Sequence, residues 1–186
     1  AVALDNGPAW AVADLALLRL GHPSLPLPPF FSHSQTGHAL ADSGAAAVLR
    51  PWRAGDEGFE IAGQRVTLEL LDAAPVALHA GAAKITYTSG STGAPKGVCL
   101  SADQMERTAA AIVETVGTEH AGVHVPVLPL GVLLENIAGL YATLMAGGRY
   151  HAPGLAELGF ADPFRPDFAR MAATLSGAGA TSLILV

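Results

Sequence analysis

Apolar runs and amphipathic segments alternate along the whole chain. Runs such as "AAAVL" (45–49) and "SLILV" (182–186) are apolar at successive positions, which is typical of strands buried on both faces. By contrast, "AWAVADLALLRL" (9–20) is typical of an amphipathic helix. Because strand and helix patterns alternate, the sequence predicts an α/β fold with largely parallel sheets flanked by helices.

Turn and cap residues set the expected bounds of these elements. Pro8 suits the first turn of a helix and Gly21 its end, while Ser101 and Gln104 form a capping-box pattern. The predicted helices are 8–20, 34–43, 102–116, 132–146 and 167–176. The predicted strands are 2–4, 45–49, 65–71, 83–88, 97–101, 123–129, 148–153 and 181–186, with 75–79 as a further candidate. Four prolines in "HPSLPLPPFF" (22–31) predict an extended connector.

Composition excludes several classes of protein. The chain of 186 residues is 51% hydrophobic and 14% charged, which excludes disorder, and its net charge of -6 argues against a nucleic-acid partner. The lone Cys99 excludes an internal disulfide. The best apolar run (132–146) is short and contains Glu135 and Asn136, so we predict no integral membrane segment, and the first residues do not resemble a signal peptide.

Histidines are scattered rather than clustered. The pair with helical spacing is His120 and His124, but a glycine lies between them. We favour two solvated loop histidines over a metal site, and we predict no metal-ligating residues.

The segment "TYTSGSTGAPKGV" (86–98) concentrates small hydroxyls, glycines and one of only two lysines in the chain. Glycines let phosphate oxygens approach the backbone, hydroxyls donate hydrogen bonds, and lysine adds positive charge. The candidate phosphate-binding residues are Thr88, Ser89, Gly90, Ser91, Thr92, Gly93 and Lys96. The Walker pattern fails because Pro95 precedes the lysine, and "GAGATS" (177–182) fails as a dinucleotide fingerprint.

This segment resembles the phosphate loop of the adenylate-forming superfamily, which includes acyl-CoA synthetases, peptide-synthetase adenylation domains and luciferases. The string "ITYTSGSTGAPKGV" matches the loop signature at every defined position. The likeness extends to "VLPLGVLLENIAGLYATLMAGGRY" (127–150) and over nearly the whole chain. It implies a part of the large N-terminal domain, with 1–121 as one α/β subdomain carrying the loop and 122–186 as the incomplete start of a second.

The resemblance also implies an activity. A carboxylic acid and ATP would form an acyl-adenylate, and a thiol, usually coenzyme A, would then take the acyl group. Thr92 and Lys96 would be catalytic, Mg²⁺ would share the work, and the location would be cytoplasmic. Glu135 falls where long-chain fatty acyl-CoA synthetases often have Glu, which favours a fatty acid; a helix-face carboxylate paired with an arginine is the alternative.

Other family elements have no counterpart in this sequence. They are an aromatic-Gly-x-Thr-Glu element, a ribose-binding Asp and a C-terminal catalytic Lys. We therefore expect residues 1–186 to be inactive by themselves. Two alternatives stay open: an adenylation domain that loads a carrier protein, and a non-catalytic domain that binds a nucleotide.

Overall fold

The computed structural model describes residues 1–88, 95–162 and 165–186. Five α-helices lie in these residues: α1 (Pro8–Leu20), α2 (His33–Ser43), α3 (Ala102–Val116), α4 (Ala142–Met145) and α5 (Phe168–Ala178). The strands in them are β1 (Ala47–Pro51), β2 (Phe59–Ile61), β3 (Gln64–Leu70), β4 (Ala82–Thr88), β5 (Lys96–Ser101), β6 (Val123–His124) and β7 (Arg149–Tyr150). A 3₁₀ turn spans Thr118–His120 and a π-helix spans Glu135–Tyr141. This combination of elements confirms the predicted α/β class.

The chain forms two compact units. The first comprises Ala1–Leu4 and Ala9–Gln104, and the second comprises Asp5–Pro8 and Met105–Val186. Each unit has hydrophobic residues at its own centre. The subdomain boundary expected at residue 121 stays a prediction about the complete protein.

The sheet of the first unit is parallel at its centre and antiparallel at its margins. Strand β3 pairs antiparallel with both β1 and β2, and β4 pairs antiparallel with β5. Between β1 and β4 lie two short segments. Val2 forms parallel bridges to Leu49 and Pro26, and Ser24 forms one to Lys84. The expected strand 2–4 is therefore reduced to a bridge at Val2, and the connector contributes backbone to the sheet.

Helix α2 is capped at both ends. The Ser32 hydroxyl accepts the Gln35 N–H, the Gln35 side chain accepts the Ser32 N–H, and Gly44 ends the helix in the left-handed conformation. The buried Ala39 packs in a hydrophobic cluster with residues of β1, β4 and the connector. Residues 75–79 have no regular structure, so the candidate strand there is wrong; Pro75 lacks the N–H that a ladder requires.

The second unit is built around a short parallel sheet. Strand β6 pairs with β7, and His124 also bridges to Ser182. The predicted strand over 123–129 is found only at Val123–His124, because Pro126 and Pro129 cannot donate to a neighbouring strand. The strand predicted over 181–186 likewise appears as the single bridge at Ser182.

Helices α3 and α5 begin at their cap residues. The capping box at Ser101 and Gln104 is confirmed, with both reciprocal bonds present at the start of α3. Asp167 caps α5 by accepting the Arg170 N–H, and Gly179 ends α5 in the left-handed conformation.

The helix predicted over 132–146 contains a widened turn. Its centre is the π-helix, which continues into α4. The side chain of Glu135 lies against Gly139, where an added Cβ would overlap Glu135 Oε1. Within the described residues, no helix combines the length and apolarity needed to cross a bilayer.

Candidate functional site

The predicted phosphate loop is flanked by two paired strands, as expected. In the β4–β5 ladder Thr88 lies opposite Lys96, and both residues are exposed. Five candidate residues lie outside the described part of the chain: Ser89, Gly90, Ser91, Thr92 and Gly93. The structure therefore describes the first and last candidates, Thr88 and Lys96, and brings them together at the end of one antiparallel ladder.

Tyr87 precedes Thr88 and is buried. Its hydroxyl donates to Asp42 Oδ2 at 2.6 Å, across from β4 to helix α2. Burial, followed by the hydrogen bond to Asp42 and the charge of that carboxylate, raises the pKa of Tyr87 well above its usual value. Tyr87 lies opposite Gly97 in the ladder, and an added Cβ at Gly97 would be 3.0 Å from Tyr87 Cζ.

The other side of the loop also contacts helix α2. His38 Nε2 lies 2.9 Å from the carbonyl oxygen of Pro95, which immediately precedes Lys96. Since a carbonyl only accepts, the ring N–H of His38 is the donor. The His38 ring also meets the Tyr87 ring edge-on, with centroids 6.0 Å apart. Sequence reasoning missed His38 and Asp42, although their spacing of four residues puts them on one helix face.

A buried ion pair lies behind strand β4. The side chain of Lys84 is only 1% exposed. Lys84 Nζ lies 2.6 and 2.7 Å from the two carboxylate oxygens of Asp14, which also accepts the Ser24 hydroxyl. Burial lowers the pKa of Lys84, and the neighbouring Asp14 carboxylate opposes that shift.

A second polar cluster is buried in the second unit. His124 Nε2 lies 3.0 Å from Glu135 Oε1, which also accepts the Tyr150 hydroxyl at 2.9 Å. His124 Nδ1 lies 3.0 Å from Ser182 Oγ, and the His124 and Tyr150 rings stack. His124 is thus buried, and the expectation that it is a solvated loop residue is wrong. Glu135 bonds histidine and tyrosine rather than the arginine considered above.

The electrostatics of this cluster are set by burial. Glu135 is fully buried, and within the described part of the chain its Oε2 has no hydrogen-bond partner. Burial and the Glu135 charge raise the pKa of Tyr150, so its phenol stays a hydrogen-bond donor. A mostly apolar cavity of about 270 Å³ borders the cluster, with His124 and Ser182 in its wall.

No metal centre is apparent in the residues that the structure describes, since none of their His, Cys, Asp and Glu side chains form a group of three or more that could hold an ion. The chemistry that the described residues offer is instead hydrogen-bond donation and positive charge at Thr88 and Lys96.

A loop rich in glycine and hydroxyl residues, followed by lysine and joining two strands of an α/β fold, is typical of an anion-binding protein. The family model for AMP-binding enzymes matches residues 1–175, and the chain belongs to that family. It has the fold of the N-terminal domain of adenylate-forming enzymes.

Individual relatives are similar over parts of their length. Bacitracin synthase 3 of Bacillus licheniformis is 30% identical over 105 residues, which are 54% of this chain and 2% of that protein. A malonyl-CoA ligase, solved as a ternary product complex with methylmalonyl-CoA and AMP, is 26% identical. Its TM-score is 0.67, and the match covers 98% of this chain and 38% of that chain.

A third similarity concerns the fold alone. O-succinylbenzoate coenzyme A synthetase from Bacillus subtilis, solved with ATP and magnesium ion, is 18% identical with a TM-score of 0.67. The match covers 98% of this chain and 48% of that chain. The chain thus spans a small fraction of bacitracin synthase 3 and less than half of either solved chain.

Proposed function

We propose that this chain supplies the triphosphate-binding part of an enzyme that activates a carboxylic acid with ATP. The observation that carries the proposal is the segment "TSGSTGAPKG" (88–97), flanked by paired strands in a chain of the AMP-binding family. In the proposed reaction a carboxylate oxygen bonds to the α-phosphorus of ATP. The bond from that phosphorus to the bridging oxygen breaks, and pyrophosphate leaves with its electron pair.

The loop residues would act on the leaving group. Negative charge accumulates on the departing pyrophosphate, and fixed donors and a cation stabilise it most strongly when they are already in place. Thr88, Ser89, Ser91 and Thr92 would donate from their hydroxyls, and the glycines would expose backbone N–H groups. Lys96 would supply the positive charge. Mg²⁺ bound to the ATP phosphates would neutralise further charge.

The acceptor in the second half of the reaction is a thiol that displaces AMP from the acyl-adenylate. The similarity to a malonyl-CoA ligase favours coenzyme A, whereas the similarity to bacitracin synthase 3 favours the thiol of a carrier protein. We propose coenzyme A as the acceptor to test first and a carrier protein as the alternative. A cytoplasmic location, where ATP and coenzyme A are available, is part of the proposal.

The class of carboxylic acid is proposed from the position of Glu135. Glu135 follows "LPL" (128–130) at the spacing of long-chain fatty acyl-CoA synthetases, which favours a fatty acid. The carboxylate of Glu135 is, however, already bonded to His124 and Tyr150. An assay panel should therefore contain fatty, aryl, dicarboxylic and amino acids.

The experiment is ATP–pyrophosphate exchange by the intact protein that contains this chain. Lys96→Ala and Thr92→Ala should each slow exchange by ~10²–10³, with a smaller effect on the KM for the acid. The physical reason is that these groups bind the charge that develops in the transition state better than ground-state ATP.

Ser101→Ala is a suitable control, because it removes a helix cap at the other end of β5 and should cost only about 1 kcal/mol of stability. Unchanged exchange in both loop variants would overturn the assignment. ATP binding without exchange for any acid would favour the non-catalytic nucleotide-binding alternative.

A further inference from the structure

Helix α2 contacts both strands of the phosphate-loop hairpin at the point where the loop begins and ends. Asp42 accepts the hydroxyl of Tyr87, the residue before Thr88. His38 donates to the carbonyl of Pro95, the residue before Lys96. Because His38 and Asp42 are one helical turn apart, a single helix face holds both strands.

Gly97 makes this arrangement possible. It lies opposite Tyr87 in the ladder, and a side chain there would press on the phenol ring, whose Cζ lies 3.0 Å and whose hydroxyl oxygen 3.2 Å from an added Cβ. Without a side chain at position 97 the ring has room beside β5, and its hydroxyl reaches Asp42. The edge of the His38 ring then packs against the same phenol ring.

The helix itself is a fixed support. Its first and last turns are capped by Ser32 and Gly44, so the ends do not depend on the loop. Ala39, on the turn between the two contact residues, is fully buried in the cluster that contains Ile85 and Tyr87 of β4. The two hydrogen bonds therefore tie the hairpin to an element already anchored in the core of the first unit.

We propose that His38 and Asp42 are positioning residues, which hold Thr88 and Lys96 in the arrangement that binds the nucleotide phosphates. This inference rests on the proposed function, because it assigns these residues to the same site. If only a fraction of molecules has the competent arrangement, the apparent affinity for ATP falls by that fraction. The affinity for the carboxylic acid is set elsewhere and should not change.

The test compares KM values for ATP and for the acid in the intact protein. His38→Ala, Asp42→Ala and Tyr87→Phe should each raise the KM for ATP by about 2- to 13-fold, the change expected for the loss of one hydrogen bond. The KM for the acid should stay within about twofold, since the lost hydrogen bonds act on the phosphate side alone. His33→Ala is the matched control, because His33 is exposed at the start of the same helix.

Two further variants separate positioning from general loss of structure. His38→Gln keeps an N–H donor on a side chain of similar reach and should restore most of the ATP affinity. The double variant Asp42→Ala/Tyr87→Phe should be no worse than either single change, because both remove the same hydrogen bond. Equal increases in both KM values, an effect of His33→Ala as large as that of His38→Ala, or additive losses in the double variant would overturn the proposal.

Amide hydrogen exchange without nucleotide distinguishes this inference from the proposed function. His38→Ala should speed exchange at residues 96–98 by several-fold, while His33→Ala should not. If His38→Ala speeds amide exchange but the intact protein activates no acid, the positioning role stands and the proposed reaction is wrong. Unchanged amide exchange and unchanged ATP affinity in an active enzyme would remove the positioning role alone.

Discussion

Asp14 and Lys84 each stand alone among apolar neighbours, in "AVADLALL" (11–18) and "AAKITYT" (82–88). Such isolated charges are the sequence signal for a buried ion pair, because each needs the other to be removed from water. The same signal is present at Glu135, which interrupts "VLLENIAGLY" (132–141), and at His124. The sequence does not reveal which residue each of these charges pairs with, because the partners are far apart along the chain.

The Lys84–Asp14 pair should show strong energetic coupling. Lys84→Met leaves the Asp14 carboxylate buried without its cation, and we expect a loss of about 3–5 kcal/mol in the free energy of unfolding. The double variant Asp14→Asn/Lys84→Met removes both charges but keeps an acceptor for Ser24, so it should recover most of that loss. Urea unfolding of the four proteins in the cycle measures the coupling, and simple additivity would show that the two charges do not depend on each other.

The space around Gly139 leaves no room for a side chain. A Cβ there would overlap the Glu135 carboxylate and lie 3.0 Å from His124 Nε2, so Gly139→Ala must displace the buried cluster. We expect a loss of about 1–3 kcal/mol, as for other overpacked sites. Gly177→Ala is the control in helix α5, where an added Cβ meets nothing within 4 Å. It should instead stabilise by about 0.5–1 kcal/mol, and thermal melting of both variants makes the comparison.

Helices and strands differ in how far local sequence determined them. The bounds of α1, α2 and α5 follow from their cap and stop residues and were predicted within one or two positions. Strands depend on partners from elsewhere in the chain, so the strand expected at 123–129 shrank to two residues and that at 75–79 was wrong. The π-helix was also missed, because a 3.6-residue pattern does not reveal a turn that widens around a buried carboxylate.

The turn between β1 and β2 provides a pH-sensitive element. Asp56 accepts hydrogen bonds from the Arg50 guanidinium and the Arg53 N–H. These hydrogen bonds lower the pKa of Asp56 to about 2, and the bond from Arg50 has the largest effect. A carboxyl group whose pKa is lower in the folded state stabilises that state above its unfolded pKa of about 3.9. This contribution should therefore be complete above about pH 4 and lost as the pH falls toward 2.

Melting temperatures between about pH 2 and 5 test this expectation. Asp56→Asn should lower the melting temperature at neutral pH and flatten its dependence on pH over the acid range. A wild-type slope that survives in Asp56→Asn would place the acid-sensitive group elsewhere.

At the scale of the whole molecule, the structural match covers nearly all of this chain but less than half of the solved chain. The match to the malonyl-CoA ligase covers 98% of this chain and 38% of that one. The phosphate loop could be recognised from its sequence because it is one contiguous string. Residues that hold adenine, ribose and the acid could not be assigned, because no comparable string for them occurs among these 186 residues.

Residues 1–186 should therefore not form an acyl-adenylate by themselves. Without groups that hold ribose and adenine the α-phosphorus is not aligned for attack, and alignment can account for ~7–11 kcal/mol of a barrier. Incubation with ATP, Mg²⁺ and the acid panel, followed by measurement of pyrophosphate release, checks this, with the intact protein as control. Turnover of ~1–10³ per second by residues 1–186 would show that the loop needs no such groups.

The parallel bridges at the centre of the first unit have a consequence for how the chain folds. Val2 lies between backbone segments from Pro26 and Leu49, and Ser24 pairs with Lys84, so the middle of this sheet is closed by residues far apart in the sequence. Contacts of such long range slow folding, typically into the range of milliseconds to seconds. The segment at Val2 must therefore remain unpaired until Leu49 has been synthesised, and the sheet is joined to β4 only once Lys84 has followed.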